Sequence, residues 1–572
     1  MPAESQPAPT TPIAFDQRIP MRDGVTLSAD IYFPTPYDPA NATHWPTVLI
    51  RTPYLKANVD MLAQAKAFAE RGFVFAAVDV RGRGDSDGMF TPYINDGRDG
   101  YDTIEWLAAQ PWSNGRIGTI GASYPGCVQW LAAIEQPPHL SAMCVLVTPS
   151  DPFVETPTGL PSPMHLCWLH YVSGRVVQPM EAVEWSAIYD HLPILTMDER
   201  AGRINRHWRE QIAHAQLDEY WEPLRYQTKF ERVNVPVLHI SGWYDDEQIG
   251  TPLNYIGMTT HAATPQARAS QRMIMGPWGH RVNRESRLGE VDFGPQALID
   301  LRDEEARWFD RWLREPGEKK TKRAEKAARA PVRIFVMGVN RWRNEREWPL
   351  ARTQWTSYYL HSNGHANSRF GDGLLTTQGP TSENAPTDCY RYDPSRPVPF
   401  ITEPTSSQIG GPDDYAAVER RDDVLVYQTQ PLTADLEVTG PVRVELYAAS
   451  SAPDTDFMAK LVDVWPNGFT QRLCDGMVRA RFREGMDRPS LIEPGQVYHY
   501  TVDCWNTAQV FRAGHRIGLE IASSAFPKYD RNPNTGAPLG QTSELAIADQ
   551  RIYHDATHPS AIILPVIPRS GD

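Results

Sequence analysis

Residues 119–126 read TIGASYPG, and this stretch decides the fold. An apolar segment at 117–120 runs into it and a helix-like segment at 127–134 follows, so the pattern predicts a sharp strand-to-helix turn with Ser123 at its apex. The small Gly121 lets such a turn tighten without a side-chain clash. The unpaired N–H groups that open the new helix would point at an anion formed beside the Ser123 hydroxyl. The stretch therefore predicts a nucleophilic serine on an α/β scaffold.

The motif departs from the strict nucleophile elbow G-x-S-x-G. Its last glycine, Gly126, comes one residue late, and Pro125 stands in the usual glycine position. A solvated serine on an ordinary strand-turn-helix unit would give the same letters. The hypothesis therefore depends on partners, because a neutral serine needs a base and the base needs an orienting group.

Two downstream segments supply candidate partners in the chain order Ser, Asp, His that α/β hydrolases use. The apolar segment 236–242 is followed by Asp245, and the apolar segment 272–277 is followed by His280. Both side chains come just past a predicted parallel strand, where open α/β sheets place their ligand sites. Considered alone, Asp245 is equally consistent with a loop carboxylate or a helix N-cap. His280 is one of 16 histidines, and a histidine chosen at random is more often structural than catalytic. Together with Ser123 they predict a catalytic triad.

Five words of this sequence carry a family resemblance: MRDGV at 21–25, DVRGRGDSDG at 79–88, GASYPG at 121–126, GWYD at 242–245 and GPWGH at 276–280. With them the chain resembles the CocE/NonD family, the cocaine esterase and X-Pro dipeptidyl-peptidase-like serine hydrolases. The resemblance runs from about residue 13 to near the C-terminus. The late glycine of the elbow is a variant that this family shares.

The resemblance implies an oxyanion hole made from the N–H group of Tyr124 and the hydroxyl of Tyr54. Tyr54 follows the predicted strand 48–51 and a turn that Pro53 fixes. A phenol is a neutral donor with a pKa of about 10, so it can donate to an oxyanion at neutral pH. Without the family, Tyr54 reads as a packed loop aromatic. Ser86, in the glycine-rich 84–88 segment, is interpreted as part of a structural turn and not as a second nucleophile.

Composition bounds the remaining possibilities. A chain of 572 residues predicts three or four domains. A net charge of −14 argues against nucleic acid or an anionic membrane as a partner. The sequence shows no signal-peptide pattern and no apolar run of about 18 residues. Six scattered cysteines are typical of buried thiols in a cytoplasmic protein, without a metal site or disulfide framework.

Strand and helix patterns predict an α/β hydrolase fold with a mostly parallel sheet, an inserted helical cap and a C-terminal all-β domain. The resemblance implies a jelly roll for the β domain. The predicted organisation is a flexible tail at 1–12, a catalytic domain at 13–149 and 227–317, a helical cap at 150–226, a charged linker at 318–330 and the β domain at 331–572.

Aromatic residues of the cap and of the loop after residue 242 are candidates for an apolar acyl pocket, although each reads equally well as ordinary packing. The candidates are Phe153, Trp168, Tyr171, Trp185 and Trp243. Glu247 lies two residues past Asp245. The related α-amino acid ester hydrolases use acidic residues near this point to hold a substrate ammonium. Gln248 departs from that acidic pattern, and the sequence does not locate the remaining acid.

The predicted reaction is two-step acyl transfer on a small-molecule ester or amide, without a metal or organic cofactor. An X-Pro dipeptidyl-peptidase-like activity or a β-lactam acylase or amino acid ester hydrolase activity would use the same machinery. A catalytically silent hydrolase fold that serves as a binding protein is the alternative from another class. The oligomeric state stays open, with a homo-oligomer among the alternatives.

Overall fold

The computed structural model describes residues 11–37, 44–314, 330–405 and 408–568. Residues 1–10 of the predicted tail and 318–329 of the predicted linker lie outside this part of the chain. Within it, no helix has the length and apolarity that a membrane span requires.

A ten-stranded mixed sheet organises the first half of the chain. The first twelve strands are β1 (Ile13–Pro20), β2 (Thr26–Tyr32), β3 (Trp45–Thr52), β4 (Val74–Asp79), β5 (Ser113–Ala122), β6 (Leu140–Leu146), β7 (Val237–Gly242), β8 (Arg272–Gly276), β9 (Arg287–Leu288), β10 (Val291–Asp292), β11 (Val332–Val336) and β12 (Arg341–Glu345). β9 and β10 form a separate pair, and the other ten follow the order β1-β2-β4-β3-β5-β6-β7-β8-β11-β12. The pairs from β4 through β11 are parallel. The predicted mostly parallel sheet is confirmed.

Helices cover both faces of this sheet. They are α1 (Val59–Ala69), α2 (Asp96–Ala108), α3 (Tyr124–Ile134), α8 (Gly250–His261), α9 (Pro265–Ala269) and α10 (Leu301–Leu313). The segment between β6 and β7 forms four further helices, α4 (His165–Tyr171), α5 (Trp185–Tyr189), α6 (Met197–Arg200) and α7 (Arg206–Ala213), whose buried side chains cluster with the all-β part of the chain. Adjacent residues of β3 belong to different cores, Val48 to one cluster and Leu49 to another. Successive strand side chains point to opposite faces, so each face of the sheet has its own hydrophobic core.

The segment 150–226 holds α4 to α7 and three short 3-10 turns at Met180–Ala182, Ile194–Thr196 and Glu219–Leu224. Val183 separates the turn at Met180–Ala182 from α5, because its backbone is extended with φ −126° and ψ 133°. The predicted helical character of this segment is therefore confined to short helices.

The remaining strands form a second, eleven-stranded all-β sheet system. They are β13 (Gln354–His361), β14 (Leu374–Thr376), β15 (Asp388–Tyr392), β16 (Leu425–Gln428), β17 (Leu436–Ser450), β18 (Asp456–Val464), β19 (Thr470–Arg479), β20 (Tyr498–Phe511), β21 (Arg516–Ala522), β22 (Ala548–Tyr553) and β23 (Ala561–Ile567). Their order is β15-β22-β17-β23-β13-β14-β16-β21-β18-β19, with β20 paired to β17. The all-β character is confirmed, whereas the jelly-roll topology stays a prediction.

One predicted domain boundary differs in the structure. The sequence pattern places the segments of β11 and β12 in the β domain that begins at 331, but β11 pairs in parallel with β8, with Val332 opposite Met273. Val332 and Ile334 are fully buried in one cluster with Met273. An apolar strand buried on both faces fits the interior of the first sheet, and its letters alone do not say which sheet it joins.

Candidate active site

The turn at Ser123 has the strained geometry that the motif predicts. Ser123 has φ 61° and ψ −126°, in the left-handed range that side chains other than glycine rarely adopt, and α3 begins at the next residue. A Cβ on Gly121 would lie 2.5 Å from Pro125 Cβ, and one on Gly126 would lie 2.9 Å from the Leu146 carbonyl oxygen. The late glycine therefore lets α3 approach the end of β6.

Asp245 and His280 meet at the ends of the neighbouring strands β7 and β8. His280 Nδ1 lies 2.8 Å from Asp245 Oδ1. Ser241 Oγ donates to Asp245 Oδ2 at 2.7 Å, and the Glu247 N–H donates to Oδ1 at 3.2 Å. The Asp245 side chain is fully buried and that of His280 is 20% exposed. The carboxylate is thus fixed from three directions and presents one oxygen to the imidazole.

Ser123 and His280 line one cavity of about 280 Å³. The Ser123 side chain lowers the pKa of the Tyr54 hydroxyl, and among the described residues no Ser123–His280 hydrogen bond is present. Hydrogen bonds between a nucleophile and its base often tighten only in the complex with substrate. The structure therefore brings Ser123 and the imidazole of His280 to the same cavity.

The Tyr54 hydroxyl has a donor of its own, Trp168 Nε1, at 2.9 Å. Because that N–H occupies a lone pair of the Tyr54 oxygen, the phenol proton points away from Trp168. Burial raises the pKa of Tyr54 above its ordinary value, so the hydroxyl stays protonated. Trp168, which the sequence suggests only as apolar lining, orients the candidate oxyanion donor.

The second candidate donor is the N–H of Tyr124, the first residue of α3, and such N–H groups have no acceptor within their helix. The Tyr124 hydroxyl donates to Asp96 Oδ2 at 2.5 Å, and Arg51 Nη2 donates to Asp96 Oδ1 at 2.5 Å. All three side chains are buried. This network beneath the elbow fixes the backbone that carries the N–H group.

The imidazole of His280 is surrounded by carboxylates. Asp246 Oδ1 lies 3.5 Å from His280 Nδ1, which is farther than Asp245 Oδ1 at 2.8 Å. Burial lowers the pKa of His280, but Asp246, the hydrogen bond to Asp245 and the charge of Glu247 outweigh it and raise that pKa to about 10. Burial also raises the pKa of Asp246 and that of Glu247, so the imidazole and these two carboxyl groups compete for protons.

Asp245, Asp246 and His280 also bring ligand-type atoms within 4.8 Å of one another. The Nδ1 and Oδ1 atoms of this group already form a hydrogen bond to each other. A metal ion there would have to displace the bond that orients the imidazole, so the group fits proton transfer better than metal binding.

The predicted pocket residues separate into two groups. Phe153, Trp168 and Glu247 line the cavity that Ser123 and His280 share.

The other three predicted pocket residues are absent from the described lining. The Tyr171 ring packs at 5.6 Å from the Tyr54 ring. Trp185 and Trp243 are 2% exposed, and their Nε1 atoms donate to the carbonyls of Met180 and Phe335. The pocket prediction is wrong for these three residues. The Tyr171 ring packs against the Tyr54 ring, and the rings of Trp185 and Trp243 are buried in the core.

Sequence reasoning missed several residues of the cavity wall. Asp151 and Glu155 follow the carboxyl end of β6, beside the elbow strand, and that position was an available signal. Ile409, Lys528 and Tyr529 come from the all-β part of the chain and also line the cavity. No local pattern marks these three, because only the packing of the two sheet systems places them there.

Known proteins are similar to this chain over both parts. The model for X-Pro dipeptidyl-peptidase (S15 family) matches residues 23–282, and that for the X-Pro dipeptidyl-peptidase C-terminal non-catalytic domain matches 325–563. Cocaine esterase of Rhodococcus sp. (strain MB1 Bresler) is 35% identical over 591 residues, covering 97% of this chain and 99% of that protein.

Two solved structures extend the similarity to the fold. An α-amino acid ester hydrolase is 26% identical, with a TM-score of 0.84 and coverage of 99% of both chains. An aminopeptidase from the marine sediment archaeon Thaumarchaeota archaeon is also 26% identical, with a TM-score of 0.83 and the same coverage. The α/β hydrolase fold and the separate all-β domain are thus shared by proteins of similar length.

We expect Tyr54→Phe to lower kcat by about 10²–10³-fold, the usual effect of losing one oxyanion donor. Trp168→Phe should lower kcat by about tenfold, because Tyr54 keeps its hydroxyl and loses only the bond that orients it. Trp185→Phe, a tryptophan outside the cavity, is the matched control. Steady-state kinetics on a p-nitrophenyl ester give the values, and a Tyr54→Phe enzyme within about threefold of wild type would limit Tyr54 to packing.

Asp246→Asn should shift the pH profile of kcat/KM. The base must be neutral to accept a proton, so activity is lost as the pH falls below the pKa of His280. Removing the carboxylate at 3.5 Å lowers that pKa, and the rising limb should move to lower pH by about one unit. Asp60→Asn, on the surface of α1, is the control. An unmoved limb would show that Asp246 does not act on the imidazole.

Proposed function

The chain belongs to the CocE/NonD family of serine hydrolases and acts on esters; we propose that Ser123, His280 and Asp245 perform the hydrolysis, with a preference for acyl groups that bear an amino group. The observation that supports the site assignment is the 2.8 Å bond between His280 and Asp245 beside the cavity that Ser123 lines.

The proposed reaction is acyl transfer in two steps. His280 removes the proton from Ser123 as the hydroxyl oxygen attacks the ester carbonyl, and Asp245 stabilises the imidazolium that forms. The tetrahedral oxyanion accepts hydrogen bonds from the Tyr124 N–H and the Tyr54 hydroxyl. His280 then returns its proton to the leaving alcohol. Water, deprotonated by the same imidazole, hydrolyses the acyl-enzyme and restores Ser123.

Carboxylates in the cavity support an amino-bearing substrate. Glu247 Oε2 is buried and accepts no hydrogen bond from the described residues. Glu155 and Asp151 line the same cavity, and burial raises the pKa of Glu155 to about 7 and that of Asp151 to about 6. A substrate ammonium would supply the missing donor and the missing positive charge. Glu155 is a candidate for the further acid that the sequence did not locate.

The same ammonium would also act on the base. Burial raises the pKa of Glu247, and its charge contributes to the raised pKa of His280, so a cation placed at Glu247 would favour the carboxylate and lower the pKa of both groups. Substrate binding would then release the base from its proton. This coupling favours amino-acyl esters over plain acyl esters beyond what binding alone provides.

Amide cleavage of the X-Pro dipeptidyl-peptidase or β-lactam acylase kind stays the alternative. It rests on the description of the matched family models and on the aminopeptidase among the structural relatives. A silent binding protein is disfavoured, since Ser123, His280 and Asp245 are all present. We further propose a cytoplasmic enzyme whose partner is a small-molecule ester or amide and neither nucleic acid nor membrane. A homo-oligomer remains one of the alternatives for the assembly state of the enzyme.

Ser123→Ala should abolish ester turnover, by about six orders of magnitude in kcat. A fluorophosphonate probe, which reacts with an activated serine, should label the wild-type enzyme and fail to label this variant. Ser86→Ala is the control, because Ser86 is buried and its hydroxyl donates to the Asp79 carbonyl. Near-normal turnover in Ser123→Ala would end the proposed mechanism.

Glu247→Gln should reduce the preference for amino-acyl over plain acyl p-nitrophenyl esters by roughly ten- to a hundredfold, the effect of losing a charge-assisted hydrogen bond. Glu155→Gln should act in the same direction, and Glu181→Gln, an exposed cap glutamate, should not. The measured quantity is the ratio of the two kcat/KM values. A ratio unchanged in both cavity variants would remove the amino-substrate proposal and leave the ester hydrolase intact.

A further inference from the structure

The loops that carry Asp245 and His280 are held together close to those residues. The Trp243 N–H donates to the Gly276 carbonyl at 2.9 Å, and the Tyr244 N–H donates to the Trp278 carbonyl at 2.9 Å. These bonds end before His280. The backbone of His280 itself needs a further acceptor, and none of the bonds within the first sheet provides it.

That acceptor comes from the all-β part of the chain. Gln408, between β15 and β16, accepts a hydrogen bond from the His280 N–H through Oε1 at 2.9 Å. Its Nε2 donates to the carbonyl of Tyr244 at 3.3 Å and to that of Gly410 at 2.7 Å. One amide thus binds the backbone of His280 and the backbone of the residue before Asp245, and is anchored in its own segment.

The fit around this amide is close. A Cβ on Gly279 would lie 2.1 Å from Gln408 Oε1 and 2.4 Å from Nε2. The amide of Gln408 can therefore keep this position only because residue 279 has no side chain, and the backbone there does not require glycine for a positive φ. The close approach is specific to the amide, since the three nearest atoms to that position all belong to Gln408.

We propose that Gln408 is a positioning residue for the base, through which the all-β domain takes part in the reaction. The inference rests on the proposed function, since it assigns a role relative to His280 and Asp245. Gln408 touches neither of their side chains. By fixing both loops it sets where the imidazole stands relative to Asp245 and to the cavity that Ser123 lines, and a displacement of about 1 Å can cost 10²-fold in rate.

A neutral amide is suited to this place. It accepts from one loop and donates to the other, which a carboxylate or an ammonium cannot do. It also adds no charge beside an imidazole that Asp245, Asp246 and Glu247 already surround. Gln408→Glu would keep the acceptor for His280, lose the donors and bring a further negative charge.

The test compares Gln408→Ala and Gln408→Met with Gln550→Ala. Gln550 is a fully buried glutamine of β22 that donates to Thr455 Oγ1 at 2.7 Å, away from the site. Both Gln408 variants should lose roughly ten- to a hundredfold in kcat, with KM within about threefold of wild type, while Gln550→Ala should keep its kcat. Tm values establish that each protein is folded at the assay temperature. Gln408→Met keeps the side-chain length, so it serves if the alanine variant does not fold.

Gly279→Ala provides an independent measurement. Its methyl group should displace the amide and reproduce the loss of kcat, whereas in the Gln408→Ala background it should cost little more, because the atoms that it meets are gone. The two substitutions should therefore be strongly non-additive. In Gln408→Glu the rising limb of the pH profile should move to higher pH, which a merely structural role would not produce.

Three results would overturn the inference. The first is a kcat within about twofold of wild type in a folded Gln408→Met enzyme, because that change is far below the expected loss. The others are additive effects of the Gly279 and Gln408 changes, and an unmoved rising limb of the pH profile in Gln408→Glu. Failure of the proposed function would look different. In that case the wild-type enzyme itself would resist the fluorophosphonate probe at Ser123, whereas failure of the inference alone leaves the wild type labelled and the variants labelled at the same rate.

Discussion

The carboxylate of Asp245 is fully buried, and a buried charge is tolerated only when hydrogen bonds and an opposite charge compensate it. Its partners are the Ser241 hydroxyl on β7, the Glu247 N–H in the following turn and the imidazole of His280 beyond β8. Satisfying this one carboxylate therefore requires that two neighbouring strands end in register. The rest of the site is arranged around that requirement, since it places the imidazole at the edge of the sheet where the elbow of Ser123 also emerges.

The site places three carboxyl groups around one imidazole, and burial raises the pKa of Asp246 and that of Glu247. Asp246 and Glu247 add to Asp245, and together they outweigh the effect of burial on the pKa of His280. Such a site binds a proton strongly when it is empty of other cations. The raised pKa leaves less neutral imidazole in the resting enzyme, and a positively charged substrate would restore it by lowering that pKa. The preference for a positively charged substrate and the fraction of neutral imidazole would then both depend on the same carboxyl groups.

The all-β domain contributes residues to the site. Lys528 and Tyr529 line the cavity, and Lys528 Nζ is paired with Asp475 Oδ2 at 2.6 Å in the interior of that domain. Gln408 binds the backbone of the two loops that carry Asp245 and His280. A cavity enclosed by two sheet systems excludes water better than the edge of one sheet, which strengthens each electrostatic interaction within it.

The sequence by itself determined what depends on neighbouring residues. The residues around Ser123 predicted a sharp turn because glycine at 121 and 126 leaves room for a strand and a helix to approach closely. Apolar runs that end before Asp245 and His280 predicted parallel strands. Tertiary structure alone decided which sheet β11 joins, why Trp185 and Trp243 are packed away while Glu155 faces the cavity, and how Gln408 reaches His280. Those outcomes depend on contacts between segments far apart in the chain, and the identity of such partners leaves no periodicity or spacing in either segment.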